Sequence, residues 1–152
     1  MSRKWFDNKV PNSEKILSEN KLEISAKIAV ENYIYNFDNY KLDLAANEVL
    51  SLAINTNLYL NDNQPWLLIK EKNNVPLVKE IIYNVLESTR IIGLLLLPLL
   101  PELSTKINEQ LGSIYKEETP WKQQLIWGQL ISNSSLPEPN PIINKLEYEQ
   151  HL

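Results

Sequence analysis

Apolar residues recur every three or four positions over most of the chain, a spacing typical of amphipathic helices. The pattern predicts four main helices, over about 13–37, 42–60, 76–97 and 101–111. The first has a possible break near Asn20, and Gly112 is expected to cap the last. A segment over 67–72 follows Trp66 and ends in a loop at 73–76, and a further helical turn or two is expected at about 121–127. The proline-rich stretch 137–141 is expected to be extended. We therefore expect an all-α antiparallel bundle of four or five helices, closed by a mostly extended C-terminal tail.

The helix predicted over 76–97 carries apolar residues on most of its circumference, which indicates the central position in the bundle. Arg90 lies on this helix. An arginine is almost never buried without a partner, so we expect it to pair with a carboxylate or a helix end.

The helix predicted over 42–60 places a stripe of residues on one face: Leu42, Ala46, Val49, Leu50, Ala53 and Asn57. Asn57 is the polar member of this stripe. Two interpretations are open for it, an interhelical hydrogen bond in the core or a part of a functional site.

The sequence after that helix predicts a rigid corner that presents a large aromatic ring. The polar cluster 61–64 closes the helix, and Pro65 fixes the backbone and excludes Gln64 from the helical region. Trp66 follows directly, and Lys70 lies one helical turn further on. A ring beside a cation suits stacking on a nucleic-acid base. The alternative is a tryptophan packed between helices, the commoner role of this residue at a helix corner.

The composition excludes several kinds of chemistry. The 152 residues contain no cysteine, and the one histidine, His151, lies next to the C-terminus. Disulfides, thiolate metal sites, thiol catalysis and Ser-His-Asp catalysis are therefore excluded. The sequence contains neither a glycine-rich phosphate loop nor a His or Cys pair at metal-ligand spacing. We expect no catalytic residue, no metal and no cofactor in this chain.

The net charge of −4 argues against a free-standing protein that holds nucleic acid by neutralising phosphates. If RNA binds here, recognition depends on stacking and on hydrogen bonds to bases, and attraction to the RNA backbone must come from elsewhere. The longest apolar run, 91–100, is interrupted by Pro98 and is shorter than the roughly 18 residues of a membrane span. Since no signal peptide follows Met1, we expect a soluble, cytoplasmic protein without a membrane partner.

Short blocks in order along the chain carry a resemblance to a known family. Asn57-x-Tyr59, Asp62, Pro65-Trp66 and Lys70 resemble the "N-x-Y … D/E-x-x-P-W-x-x-x-K" signature of methionine–tRNA ligases, in the helical anticodon-binding domain that follows the catalytic domain. Further similar blocks follow in family order: Leu86-Glu87-x-x-Arg90-Ile91, Leu97-Pro98-x-x-Pro101-Glu102, Lys106-Ile107, Gln110-Leu111-Gly112, Trp127-Gly128 and the run from Pro141 to Glu147. Each block alone is weakly specific, whereas the ordered set is specific.

The resemblance implies a function in translation. The chain would recognise the anticodon of methionine tRNA, with an anticodon base stacked on Trp66 and with Asn57, Pro65 and Lys70 as supporting residues. Its implied partners are that tRNA and the catalytic domain of the parent ligase. The parent enzyme attaches methionine to tRNA with ATP, and the ATP site belongs to the catalytic domain.

The chain also departs from the family pattern. The catalytic-domain motifs resembling "H-I-G-H" and "K-M-S-K-S" do not occur, and neither does the "N-x-x-N-R"-like segment that helps to read the anticodon. The segment 3–6 resembles the last turn of a helix whose body is missing. Asn144 and Lys145 replace the proline and arginine of the family's closing motif.

The resemblance and these departures from it divide the chain into two predicted parts. Residues 1–112 would form the anticodon-binding bundle without its first helix. Residues 113–152 would pack back on it through Ile142, Ile143 and Leu146. The alternative function is a helical protein-interaction module without RNA binding, in which Trp5 and Trp66 contact the core or a partner, and the acidic charge suits that alternative.

Overall fold

The computed structural model describes residues 1–113 and 115–142, and within them the chain is helical. Four helices are long: α2 (Lys21–Asp38), α3 (Leu42–Asn63), α5 (Val75–Leu96) and α6 (Pro101–Gln110). Three are single turns: α1 (Ser2–Trp5), α4 (Pro65–Leu68) and α7 (Trp121–Gln124), and a 3-10 turn, Lys72–Asn74, precedes α5. The described residues contain no strand, only an isolated bridge between Lys9 and Ser135. The predicted all-α bundle is confirmed.

Helix α5 lies at the centre, as its apolar circumference predicted. It packs against α2, α3, α4 and α6, while α2 and α3 pack along each other as a hairpin. Most of its residues from Val78 to Leu95 are buried. The main core joins α2, α3, α5 and the segment after α7 through apolar side chains, among them Leu22, Tyr33, Val49, Leu52, Ile91, Leu95 and Leu125.

The predicted start of the first long helix is wrong. The sequence pattern placed it at about Ser13 with a break near Asn20, whereas α2 begins only at Lys21, directly after the position of that break. The backbone N–H groups of Ile16 and Leu17 donate to the buried carboxylate of Glu80 on α5, at 2.8 and 3.0 Å. The Asn20 side chain then caps the helix by accepting from the N–H of Glu23. A distant carboxylate therefore holds these residues outside a helix.

The predicted buried stripe of α3 is also wrong by about one position. The buried residues are Ala45, Val49, Leu52 and Thr56. Leu42 and Leu50 are 50% and 59% exposed, although the sequence pattern placed them in the stripe. Both stripes have helical spacing, and the neighbouring helices decide which one faces the core.

The predicted ion pair of Arg90 is confirmed. Arg90 Nη2 lies 2.6 Å from Glu87 Oε1, and both side chains are almost fully buried. Arg90 also donates to the carbonyls of Gln124 and Ile126 at 2.6 and 2.9 Å. Glu87 accepts from three successive backbone N–H groups, at 128–130, over 2.7–3.1 Å. This one pair bonds the segment 124–130 to the central helix.

Helix α6 approaches α5 closely at Gly93. The Ser104 hydroxyl donates to the Gly93 carbonyl at 2.6 Å, and the Asn108 amide lies about 3.0 Å from the place where a Cβ on Gly93 would be. At the end of α6, Gly112 has a φ of +63° and Ser113 N–H donates to the Asn108 carbonyl. This is a Schellman cap, so the predicted capping role of Gly112 is confirmed.

The two ends of the described chain lie against each other. Val10 N–H donates to the Ser134 carbonyl at 2.9 Å, and Asn133 N–H donates back to the Val10 carbonyl at 2.8 Å. After Gln124 the chain leaves the helix, earlier than the predicted stretch to about 127. Residues 137–141 are neither helix nor turn, and Ile142 is half-buried. Ile143, Leu146 and His151 lie outside the described residues, and the division of the chain near 112 stays a prediction.

Replacing Glu87 by alanine should strongly destabilise the fold. Removing one partner of a buried ion pair costs about 3–5 kcal/mol, because the other charge is left uncompensated. We expect a loss of at least this size in the free energy of unfolding, measured by urea denaturation. Lys27→Gln is the control, because Lys27 pairs with Glu23 on the exposed face of α2. This pair should contribute less than about 0.5 kcal/mol.

Replacing Gly93 by alanine should destabilise the contact of α5 with α6 by about 1–3 kcal/mol, the usual cost of overpacking. The added methyl would meet Asn108 and Ile107 at about 3.0 Å. Because Asn108 is part of the obstruction, Gly93→Ala should cost less in an Asn108→Ala background than in the native chain. Equal costs in the two backgrounds, measured by urea denaturation, would contradict this account.

Candidate nucleic-acid interface

The corner predicted around Pro65 forms where α3 ends and α4 begins. Helix α3 continues to Asn63, three residues beyond the predicted end. Gln64 then takes a left-handed conformation, with φ 44° and ψ 56°, so its predicted exclusion from the right-handed helix is confirmed. Pro65 opens α4 and is fully buried, and Asn63 caps the end of α3 by donating to the Tyr59 carbonyl. The buried proline fixes the direction of the chain at this corner.

Trp66 stands on this corner with 39% of its surface exposed. The other three tryptophans are partly buried. Trp121 donates from Nε1 to the Leu94 carbonyl at 3.0 Å, Trp127 packs against the core, and Trp5 lies edge-on to Phe6. Among the described residues the Trp66 indole has no hydrogen-bond partner and no aromatic neighbour. Among the four tryptophans, Trp66 is therefore the one most available for an external contact.

Three of the four candidate residues lie on one short segment. The buried Pro65 directly precedes Trp66, and Lys70 lies four residues after Trp66 with an exposed side chain. The intervening turns are closed by backbone bonds from Ile69 to Pro65 and from Lys70 to Leu67, at 3.0 and 3.3 Å. Lys70 and Trp66 consequently lie on the same short run of hydrogen-bonded turns.

Asn57 lies apart from this segment. It is exposed on α3, seven residues and about 10 Å along the helix axis before Gln64. Within the described part of the chain its side chain makes no hydrogen bond, so its interpretation as an interhelical core contact is wrong. Thr56, its neighbour, takes that role through a 2.7 Å bond between its hydroxyl and Ser88 Oγ.

A series of hydrogen-bonded polar side chains holds the corner in place, and the sequence did not predict it. Asn84 on α5 donates to the Tyr59 hydroxyl at 3.1 Å and accepts from the Asn20 amide at 3.0 Å. Burial raises the pKa of Tyr59 above the ordinary value of a tyrosine phenol. In the sequence, the only sign of this role is that Tyr59 belongs to the Asn57-x-Tyr59 block shortly before Pro65. The tyrosine anchors the end of α3 to α5 and fixes the corner.

The described residues offer no site for a metal ion, since no three His, Cys, Asp or Glu side chains come together. No helix in the described ranges is long and apolar enough to cross a membrane. The described residues thus form an all-helical domain with a partly exposed tryptophan at one corner.

Comparison with known proteins identifies the class of this domain. Residues 10–152 match the family model described as the anticodon binding domain of methionyl tRNA ligase, so the chain belongs to this family. Methionine–tRNA ligases of Synechocystis and Nostoc are 37% and 30% identical to the chain, over 68% and 92% of it. The chain covers 21% and 27% of their lengths, so it spans about a quarter of the curated relatives it matches.

Solved structures show the same fold. The free form of methionyl-tRNA synthetase from Mycobacterium tuberculosis superimposes with a TM-score of 0.81 at 23% identity, over 97% of this chain and 30% of that one. Its complex with methionyl-adenylate gives a TM-score of 0.79 over 95% of this chain and 28% of that one, at 22% identity. The helical arrangement is therefore that of the corresponding part of these synthetases.

The exposure of Trp66 predicts a small effect on stability. Trp66→Ala should cost less than about 2 kcal/mol, because 39% of the Trp66 surface is already in water. Trp121→Ala removes a ring that packs on Tyr33 and should cost about 3–5 kcal/mol. Thermal and urea unfolding of both variants measure this difference. Equal losses would identify Trp66 as a packing residue of the corner.

Proposed function

We propose that this chain binds the anticodon of methionine tRNA and that Trp66 stacks on one of the anticodon bases. The observation that carries the proposal is the exposed ring on a corner fixed by a buried proline, in a chain of the anticodon-binding family. Base–aromatic stacking is worth about 1–3 kcal/mol per base and needs no net positive charge. This suits a chain with a net charge of −4.

Pro65, Lys70 and Asn57 have supporting roles in this proposal. Pro65 restricts the backbone that carries the Trp66 ring. Lys70 offers a cation to the RNA beside the stacked base. Asn57 lies on the exposed face of α3 that leads to the corner. Its free amide is suited to a hydrogen bond with a base edge or a ribose.

The proposal places the chain in the ATP-dependent attachment of methionine to tRNA. The chain would supply recognition, and a catalytic domain of the ligase would supply the ATP site and the chemistry. No cofactor would bind this part. A cytoplasmic location would follow from a role in translation.

A helical protein-interaction module remains the alternative from a different class. Leu50, Ile54 and Leu58 form a stripe on α3 at spacings of four residues, and each is 50–59% exposed. Such a stripe is typical of a surface that contacts another protein. A chain that binds no RNA in the following experiment would favour this alternative.

Trp66→Ala should weaken binding of an anticodon stem-loop by about ten- to a hundredfold, since 1.4 kcal/mol corresponds to a factor of ten. The measurement is fluorescence anisotropy with a labelled RNA hairpin that carries the methionine anticodon. Trp66→Phe should retain part of the affinity, because a smaller ring still stacks. Leu67→Ala is the matched control, because Leu67 lies on the same turn and is 48% exposed.

Specificity and chemistry give two further tests. A hairpin with a different anticodon should bind the native chain more weakly, and the difference should shrink in Trp66→Ala. The same substitution in a full-length ligase of the family should lower tRNA charging and leave ATP-dependent activation of methionine unchanged. A variant that stays folded and binds or charges tRNA normally would contradict the stacking role.

A further inference from the structure

We propose that three lysines near the start of α5, namely Lys15, Lys72 and Lys79, contact the phosphate backbone of the bound RNA. They would supply the electrostatic attraction that the net charge of −4 does not. The inference rests on the proposed function and adds a second set of contacts to it. We call these residues the end lysines.

The fold places Lys72 close to the tryptophan corner. The chain from Gln64 to Asn74 is a series of tight turns, each closed by backbone bonds such as Glu71 N–H to the Leu68 carbonyl at 3.1 Å. Lys72 begins the 3-10 turn that packs on α5. It lies six residues after Trp66, so the two Cα atoms are at most about 22 Å apart even in an extended chain. The turns make the distance shorter.

Lys79 and Lys15 lie at the same end of α5. Lys79 is on the first turns of α5 and lines a shallow cleft with Pro76 and Glu14. Lys15 precedes Ile16, whose N–H bonds to the Glu80 carboxylate one residue further along α5. The segment before α2, which the sequence pattern wrongly placed in a helix, thereby brings a third cation to the start of α5.

The end lysines are available to an external anion. None of them takes part in the ion pairs of the described residues, which use Arg3, Lys27, Arg90 and Lys122. The carboxylates at this end also keep their charge. Glu80 is buried and accepts two backbone N–H groups, Glu71 accepts from the Asn74 amide at 3.1 Å, and Glu71, Glu14 and Asp62 are exposed and moderate the local charge. Lys15 and Lys72 have exposed side chains, and Lys79 is half-buried.

A polyanion that is already in contact with Trp66 is the ligand these positions suit. A stacked anticodon loop continues on both sides as a sugar–phosphate chain, and lysine ammonium groups attract phosphates as point charges. Each phosphate neutralised on a single strand changes the slope of log K against log salt by about 0.7, and on a duplex by about 0.9. The proposal therefore predicts a salt dependence that the end lysines control and Trp66 does not.

The test is the affinity of the 152-residue chain for the anticodon hairpin between about 50 and 200 mM salt. Replacing all three end lysines by glutamine should reduce the steepness of log K against log salt by about 2 and weaken binding at low salt. Lys41→Gln is the matched control. Lys41 is exposed at the other end of α3, which is about 33 Å long, and should leave the slope unchanged. Lys79→Arg keeps the charge and should also leave it unchanged, which separates charge from packing at this half-buried position.

The outcomes separate this inference from the proposed function. Binding that requires Trp66 and has a native slope in the triple variant would overturn only the role of the end lysines. Binding that requires the end lysines, ignores the anticodon and tolerates Trp66→Ala would support the phosphate contacts and overturn anticodon recognition. A folded native chain that binds no RNA hairpin at low salt would overturn both.

Discussion

The buried pair of Glu87 and Arg90 is the interaction on which the arrangement of the C-terminal segment depends. A buried ion pair stabilises a fold only when the remaining donors and acceptors are satisfied, since desolvation is costly. Here Glu87 accepts five hydrogen bonds, two from Arg90 and three from backbone N–H groups. Those N–H groups belong to a chain reversal without helical partners. The carboxylate takes the place of the missing carbonyls.

The same physical solution recurs along α5. Glu80, Asn84 and Ser88 follow one another at helical spacing, and all are buried. Glu80 holds the segment before α2, Asn84 joins α2 and α3 through Asn20 and Tyr59, and Ser88 bonds to Thr56. Apolar contacts bring the helices together without fixing their rotation. A buried polar group that must find its partner admits fewer arrangements.

These buried polar residues of α5 connect the core to the candidate interface. Tyr59 and Thr56 hold the last turns of α3 on α5, and the left-handed Gln64 and buried Pro65 then set the direction of α4. The exposed ring of Trp66 is thus carried by backbone that buried contacts fix on both sides. In the proposed function this rigidity matters, because a ring already in place loses little conformational entropy when a base stacks on it.

The sequence by itself determined the elements that depend on local chemistry. Helical periodicity identified the four long helices and the central position of α5, Gly112 marked the left-handed cap of α6, and Pro65 marked the corner before Trp66. These features follow from spacing and from backbone freedom, which neighbouring residues decide. The ordered blocks also indicated the family that the match over residues 10–152 shows.

Only the tertiary structure decided features that depend on distant partners. The start of α2 depends on Glu80, which binds the N–H groups of Ile16 and Leu17 from more than sixty residues away. The spacing along α5 likewise did not identify the partners of Arg90, which are Glu87 and the carbonyls of Gln124 and Ile126. Thr56 faces the core and Asn57 faces solvent because α2 and α5 fix the rotation of α3, and both residues fit a helical pattern equally well. The exposure of Trp66 was open for the same reason. Burial is a property of the assembled helices, which residue spacing along one helix does not contain.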